Sequence, residues 1–283
     1  MAVLPLLALL CAVIAAGCSS DEPPTPDPSS DYNSVIINPD GTATGNAVFS
    51  RIDETTFFLD YVKYKIYNSH LNVVGYDVFE LPEEPKLYAE VQIDGTTYKT
   101  RTIAAEVFSE TNIKAITIPS TVMVIGHSCF EKCKKLVKID MPGELEALDS
   151  YCFYECSALE EVTLSKNLSK IGYSCFEKCE NLIKIDIPDA VEELPSHCFY
   201  KCRALEEVTL SKNLSYIGGY CFSGCTNLKR VTFKGAVPRL TDGSFMTPHE
   251  GEYTPEAYVP INYLPNYHNS PIRDYFYQIH GYE

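Results

Sequence analysis

The sequence predicts an α/β solenoid of about seven stacked turns, closed by a β-rich N-terminal cap and an aromatic C-terminal cap. The phrase Cys-Phe-x-x-Cys occurs five times, as CFEKC, CFYEC, CFEKC, CFYKC and CFSGC, and its first cysteine recurs every 23 residues. A common apolar frame surrounds each copy, and the segments on either side follow other patterns. A short fixed period is typical of solenoids, because one unit can bury its apolar stripe only against its neighbours.

Each turn carries two cysteines within a fixed set of apolar positions. Ile or Leu stands four residues before the first cysteine, Phe one residue after it, and apolar residues seven, ten and twelve residues after it. The stretch Leu-x-x-Ile/Val-x-Ile/Leu predicts a short strand with alternate side chains pointing inward. The Phe and its flanking cysteines suit a single helical turn facing inward. The two cysteine columns are Cys129, Cys152, Cys175, Cys198, Cys221 and Cys133, Cys156, Cys179, Cys202, Cys225.

The outer turns are altered copies, and they set the predicted solenoid at residues 103–245. Ile103 and Phe108 begin a first turn that has lost both cysteines, and Leu240 and Phe245 keep the frame in the last turn. Altered terminal units are expected where a solenoid meets its caps. Between 129–174 and 175–220, 31 of 46 positions are identical, which indicates duplication of a two-turn unit.

The N-terminus predicts export. Residues 1–17, MAVLPLLALLCAVIAAG, form an apolar run that is short for a membrane span and ends in small residues, as a signal peptide does. Its last residues with Cys18 resemble a bacterial lipobox, which implies lipid attachment at Cys18. An ordinary secretory signal is the alternative. Residues 18–33 are rich in Pro, Ser and acid and predict a lipid anchor with a disordered tether. The acidic residues after Cys18 resemble a surface-export signal, which implies an outer-membrane lipoprotein at the cell surface.

Residues 34–102 predict the β-rich N-terminal cap. Phe57–Tyr67 and Leu71–Tyr76 have the composition of two hairpin arms. Tyr88–Ile93 and Thr97–Thr100 flank an Asp-Gly pair, which favours a tight turn. Such a segment would cover the core of the first turn.

Residues 246–283 predict the C-terminal cap and are rich in aromatic side chains. The rings would cover the last turn of the solenoid; alternatively, exposed tyrosines would stack on sugar rings or on partner proteins. The aromatic residues are Tyr253, Tyr258, Tyr263, Tyr267, Tyr275, Phe276, Tyr277 and Tyr282.

The frame I-G-x-x-C-F-x-x-C-x-x-L-x-x-I-x-I-P resembles the BspA-like leucine-rich repeat, in which Ala-Phe usually stands in place of Cys-Phe. The flanking stretches YVKYKIY, VQIDGTTYKTRTIAAEVF and FKGAVPRL…GSF…EAYVP are similar to the caps of that family. The resemblance covers about residues 56–283. It implies a leucine-rich-repeat solenoid, exported or attached to the surface, that binds host proteins, other cells or glycans and has no catalytic site.

The repeat cysteines are expected to be buried free thiols, because both columns point inward where the core needs small apolar side chains. Cross-repeat disulfides remain an alternative, whereas a bond within an i, i+4 pair would be strained. No metal site or cofactor is predicted, because Cys-x-x-x-Cys on an inward corner lacks convergent zinc ligands. The histidines do not recur in register, so no Cys–His couple and no enzyme activity are predicted.

The charge excludes nucleic acid as a partner. The formal net charge is −15 and the sequence pI is near 4.8, whereas phosphate binding needs basic stripes. The same acidity disfavours electrostatic attachment to an anionic bilayer, so the only predicted membrane contact is the lipid on Cys18.

The candidate ligand site is the outward face of the repeat strands. One column alternates in sign and the next is acidic or carries hydroxyl groups, which fits either a solvated sheet face or a binding surface. The predicted function is a macromolecule-binding module for a host matrix or cell-surface protein, and a glycan-capturing protein of a nutrient-uptake system is the alternative. The candidate residues are Lys138, Glu161, Lys184, Glu207, Arg230 and Asp140, Thr163, Asp186, Thr209, Thr232.

Overall fold

The structure is a computed structural model that describes residues 34–38, 43–44, 47–245 and 254–283. The predictions for the signal peptide, Cys18, the tether and Tyr253 lie outside these residues. Within them, no helix is both long enough and apolar enough to cross a membrane.

The N-terminal strands build a mostly antiparallel sheet that leads into the solenoid. β2 to β5 form a meander, and β6 and β7 form a hairpin. Two parallel pairings join these parts, one between β5 and β7 and the other between β1 and β6. The strands are β1 (Ser34–Ile37), β2 (Phe49–Arg51), β3 (Thr56–Leu59), β4 (Val62–Tyr67), β5 (His70–Tyr76), β6 (Glu90–Ile93) and β7 (Thr96–Ile103).

Both predicted hairpins of this sheet form, and β4 pairs with β5 across the predicted turn after Tyr67. The Asp94-Gly95 turn is confirmed, with φ of 49° and 77°, which matches the twist of the flanking strands. The prediction of one continuous arm over Phe57–Tyr67 is wrong. Asp60 and Tyr61, at φ of 46° and 68°, divide it into β3 and β4, which pair with each other as a hairpin.

The solenoid has two sets of parallel strands. The longer strands make a seven-stranded sheet: β9 (Lys138–Asp140), β11 (Glu161–Thr163), β13 (Lys184–Asp186), β15 (Glu207–Leu210), β17 (Arg230–Phe233), β19 (Glu256–Pro260) and β20 (Ile279–Tyr282). The two-residue strands are β8 (Val124–Ile125), β10 (Ala147–Leu148), β12 (Lys170–Ile171), β14 (Glu193–Leu194), β16 (Tyr216–Ile217) and β18 (Arg239–Leu240). β8, β10 and β12 extend the sheet of β7, and β14, β16 and β18 pair with one another.

The register of these strands confirms the predicted solenoid. Glu161 pairs with Lys138 and with Lys184, so each strand lies beside its equivalent one repeat away. The leucines and alternate apolar residues of the frame face the core, as Leu136 and Ile139 do. A parallel register shifted by one period is what a stacked repeat requires.

A ladder of seven phenylalanines fills the core at the corner of each turn. Successive ring centroids are 5.0–5.5 Å apart and the rings are within 13° of parallel. Tyr76 stacks on the N-terminal ring at 6.2 Å, so the cap continues the ladder. The members are Phe108, Phe130, Phe153, Phe176, Phe199, Phe222 and Phe245.

The corner itself is not the helical turn that the spacing predicts. Cys133 N–H donates to the Phe130 carbonyl three residues earlier (3.2 Å), whereas Phe130 N–H donates to Cys152 of the next turn (2.8 Å). Left-handed residues such as Ser128 (φ 50°) and Lys132 (φ 56°) alternate the direction of successive peptides. The alternation lets one half of the N–H groups close tight turns and the other half join neighbouring turns. A helix would use all of them within one turn.

The tail supplies rings that cover the C-terminal end of the ladder. Tyr267 is fully buried against Phe233, with centroids 5.1 Å apart, and its hydroxyl donates to the Gly235 carbonyl. Phe276 packs on Phe245 at 5.2 Å. The tail also contains two 3-10 segments, Ile261–Tyr263 and Pro271–Tyr275, and the short helix α1 (Leu264–His268).

Alternate turns contain a glycine where the backbones of neighbouring turns nearly touch. A Cβ on Gly172 would lie 2.3 Å from the Ser150 nitrogen, whereas one on Gly143 would meet nothing within 4 Å. We expect Gly172→Ala to lower the free energy of unfolding by about 1–3 kcal/mol, because the two turns must separate. Gly143→Ala should stay within about 0.5 kcal/mol of the parent. Denaturant unfolding of both variants tests this, and equal effects would contradict the close approach.

Candidate functional site

The ten predicted site residues come together on one surface, which we call the strand face. All lie on β9, β11, β13, β15 and β17, and the register aligns them in two columns along the sheet. Seven of them are exposed, and Glu207, Thr209 and Thr232 are half-buried. The parallel pairing therefore presents a continuous polar surface of charged and hydroxyl side chains.

The charged column alternates in sign, but its ion pairs are uneven. Lys138 Nζ lies 3.2 Å from the Glu161 carboxylate and 3.8 Å from Asp140, and the hydrogen bond to Glu161 raises the pKa of Lys138. Lys184 lies between two glutamates in register, yet its ion pair is with Asp186 of its own strand, at 4.0 Å. Exposed pairs of this kind contribute little to stability, so these charges remain available for a partner.

The strand face continues beyond the predicted residues at its C-terminal end. Glu256 lies in register with Arg230, Tyr258 with Thr232, and His280 with Tyr258. Glu256 follows Arg230 by 26 residues, so the period of the repeat could not predict this extension. The signal that could have found it is the strand-like stretch EAYVP.

The extension forms an ordered aromatic cluster. The guanidinium of Arg230 lies 4.6 Å from the Tyr258 ring centroid, and the ring of His280 stacks on Tyr258 at 4.9 Å. The hydroxyl of Tyr258 donates to the Glu256 carboxylate (2.9 Å), which raises the pKa of Tyr258. Stacked aromatic and guanidinium groups are common anchors of protein interfaces.

All ten repeat cysteines are buried and free, as predicted. The thiols of the second column, which begins at Cys133, also donate hydrogen bonds. Cys156 Sγ lies 3.0 Å from the carbonyl oxygen of Phe130 in the preceding turn, and the other members of the column donate to equivalent carbonyls at 3.0–3.2 Å. These thiols therefore satisfy part of the hydrogen bonding of buried carbonyl groups.

The burial of the thiols governs their chemistry. It raises the pKa of nine of them above the ordinary value, to about 12 for Cys225. At Cys133 the neighbouring Cys156 thiol, with a smaller contribution from Thr111, favours the thiolate and lowers the pKa. A protonated thiol without access to solvent is a poor nucleophile and a poor metal ligand. Within the described residues, no group of three or more His, Cys, Asp or Glu side chains is placed to hold a metal ion.

Fold and surface together define a leucine-rich-repeat solenoid with a polar strand face. The chain belongs to the BspA type leucine rich repeat family, whose model matches residues 90–206 and 124–249 with six copies of the repeat. Both matched ranges lie across the turns that carry the phenylalanine ladder.

Proteins of known structure with similar folds are bacterial leucine-rich-repeat proteins. The protein from T. pallidum is 25% identical, with 63% of this chain and 80% of that chain covered and a TM-score of 0.57. One from Bacteroides ovatus is 18% identical over 80% and 76% of the two chains, with a TM-score of 0.39. One from Bacteroides capillosus is 27% identical over 49% and 86%, with a TM-score of 0.34. No functionally curated protein matches the chain.

The burial of the thiols predicts their reactivity. At pH 7.5 we expect none of the ten repeat cysteines to react with iodoacetamide in the folded protein, and all ten to react after unfolding. Peptide mapping by mass spectrometry separates these cysteines from Cys11 and Cys18. A repeat cysteine that reacts quickly in the folded protein would contradict the closed core and revive a thiol-dependent activity.

The raised pKa values predict a loss of stability at alkaline pH. Unfolded thiols ionise near their ordinary pKa of 9.0 while the buried ones stay protonated. The unfolded state then binds fewer protons, so the free energy of unfolding falls as the pH rises above about 9. Each thiol contributes a slope of up to about 1.4 kcal/mol per pH unit. Cys175→Ala should reduce the slope by that amount and leave it unchanged below pH 8, as urea unfolding across the range would show. Equal slopes would refute the linkage.

Proposed function

We propose that this protein is a non-catalytic binding module whose strand face holds a protein of the host matrix or of a cell surface. The observation that carries the proposal is the continuity of the strand face, in which register aligns charged and hydroxyl side chains along the sheet. Solenoids of this kind commonly bind their partners through such extended faces. Membership of the BspA type family supports the same interpretation.

The composition of the surface favours a protein partner. Val137 and Ile183 are exposed apolar side chains directly before Lys138 and Lys184. Apolar groups among charges of both signs allow a partner to bury area while complementary charges fix its position. The aromatic cluster around Tyr258 adds a rigid anchor at one end.

The proposal includes a location. We propose that residues 1–17 direct export, that lipid at Cys18 is the membrane attachment, and that residues 18–33 tether the folded part at the outer face of the outer membrane. The boundaries 34–102, 103–245 and 246–283 for cap, solenoid and cap belong to the same proposal. The lipobox-like ending and the acidic, Pro-rich segment after it support this arrangement.

The alternative, glycan capture by the aromatic tail, has fewer rings available than the sequence indicates. Tyr267 is buried against Phe233, and Phe276 is buried against Phe245 of the ladder. The hydroxyl of Tyr282 donates to the Phe233 carbonyl. Tyr263 and Tyr277 remain exposed. Most of the tail therefore serves the packing of the last turn, and the strand face is the better candidate surface.

Charge reversal on the strand face tests the proposal. Purified protein is titrated against host matrix proteins at physiological salt, and Lys184→Glu is expected to weaken the saturable binding by about tenfold or more. Lys170→Glu is the matched control, because Lys170 is also exposed and pairs with an aspartate, but lies on β12, outside the seven-stranded sheet. Equal binding by both variants and the parent would remove the strand face as the site.

A further inference from the structure

A row of aromatic rings runs along the corners of five consecutive turns. The two residues before the first cysteine of each turn are always one aromatic residue and one Ser or Gly. The turns on either side, with Ala105-Glu106 and Asp242-Gly243, carry no ring there. The pairs are His127-Ser128, Ser150-Tyr151, Tyr173-Ser174, Ser196-His197 and Gly219-Tyr220. We call His127, Tyr151, Tyr173, His197 and Tyr220 the ring row.

The core does not need these rings. The inside of each corner is filled by the phenylalanine ladder, and Tyr151, Tyr173 and Tyr220 are 38%, 59% and 51% exposed. Single exposed aromatics are common on protein surfaces, whereas one ring at the same corner of five consecutive turns is a candidate binding surface.

The backbone conformation at the corner gives a second reason to ask why a ring stands there. Tyr151 and Tyr220 have φ of 59° and 58°, in the left-handed region that bulky side chains disfavour. Ser128 and Ser174 hold the same corner position at φ 50°. The fold requires this backbone conformation in every turn but requires no ring. A ring kept in a strained conformation points to a function.

Comparison of the two duplicated units supports this view. Tyr151 in one unit corresponds to His197 in the other, so the ring changed its chemistry and remained aromatic. Tyr173 corresponds to Gly219, yet that turn carries a ring at Tyr220, one position further along. One ring per turn therefore persists while the residue and its position change, which duplication alone does not explain.

Ring contacts orient three members of the row. Tyr154 packs edge-on against Tyr151 at 5.7 Å, and Tyr200 packs edge-on against His197 at 5.3 Å. His197 in turn stacks on Tyr220 at 5.4 Å. Such contacts fix the orientation of the rings before a ligand arrives, so binding orders little side-chain freedom.

We propose that the ring row binds a linear, uncharged polysaccharide that lies along the solenoid. The rise per turn, 5.3 Å between Phe153 and Phe176, is close to the length of one hexopyranose unit in an extended chain. One ring per turn therefore allows about one aromatic contact per sugar. The apolar face of a pyranose packs on an aromatic ring, and the hydroxyls and nitrogens of Tyr, His and Ser can bond the sugar hydroxyls.

The charges beside the row favour a neutral ligand. Lys132 pairs with Glu110 (2.8 Å) and Glu131 (3.3 Å), and Lys178 pairs with Glu155 (2.7 Å). These lysines are already compensated, and the chain carries a net charge of −15 that repels polyanions. The site is separate from the strand face, so the proposal does not depend on the proposed function.

The test uses the full-length protein and hexasaccharides of linear glucans, mannans, xylans and galactans, with hexagalacturonate as the acidic comparison. The variant replaces Tyr151, Tyr173 and Tyr220 with Ser, which other turns already carry at the same positions. Saturable binding of a neutral hexasaccharide is expected in calorimetry, and the variant should lose at least about tenfold in affinity. Because these three side chains are exposed and lie outside the core, the midpoint of thermal unfolding should change little.

The control variant is Tyr277→Ser, which removes an exposed tail tyrosine and should bind as the parent does. Failure of every neutral hexasaccharide to bind would overturn the proposal, as would a preference for hexagalacturonate. Neutral-glycan binding lost in Tyr277→Ser and kept in the triple variant would assign the site to the tail. If the triple variant instead loses only a protein ligand, the row is a protein interface and the glycan assignment is wrong.

Discussion

The hydrogen bonds between equivalent peptides of neighbouring turns determine the rest of this structure. Phe130, Phe153 and Phe176 each donate an N–H to the first cysteine of the next turn at 2.8–2.9 Å. These bonds fix the rise per turn, and every side chain consequently stands beside its equivalent one period away. The stacked phenylalanines and the columns of the strand face follow from this single constraint.

The same constraint explains why the thiols of the second cysteine column act as hydrogen-bond donors although they are buried. The Phe130 carbonyl points inward and accepts Cys133 N–H, and the thiol of Cys156 supplies a second donor. In the first turn, which lacks cysteines, Thr111 stands at the equivalent position and its hydroxyl donates to the Phe108 carbonyl at 2.7 Å. A small side chain with a donor therefore suits this column better than a purely apolar one, since buried polar groups need partners.

The period makes much of the fold predictable from sequence, because fixed spacing states which residues are neighbours. The strands, the register of Lys138 with Glu161 and the burial of the thiols all follow from it. The corner conformation does not, because Tyr151 and His197 give no sign of the left-handed backbone that Gly or Asn would indicate. The period does not predict the part of the strand face beyond Arg230, because Glu256 and His280 join it through the pairing of β17, β19 and β20.

The strand face and the ring row differ in how far the packing of the repeat explains their residues. Opposite charges in register on neighbouring strands favour the native register slightly, so the alternation of Lys138, Glu161 and Lys184 has a structural explanation beside a functional one. The rings at Tyr151 and Tyr220 have no comparable structural reason, because they stand outside the core in a left-handed conformation that bulky side chains disfavour. Because the fold does not require these rings, they carry more specific information about a ligand than the charges of the strand face do.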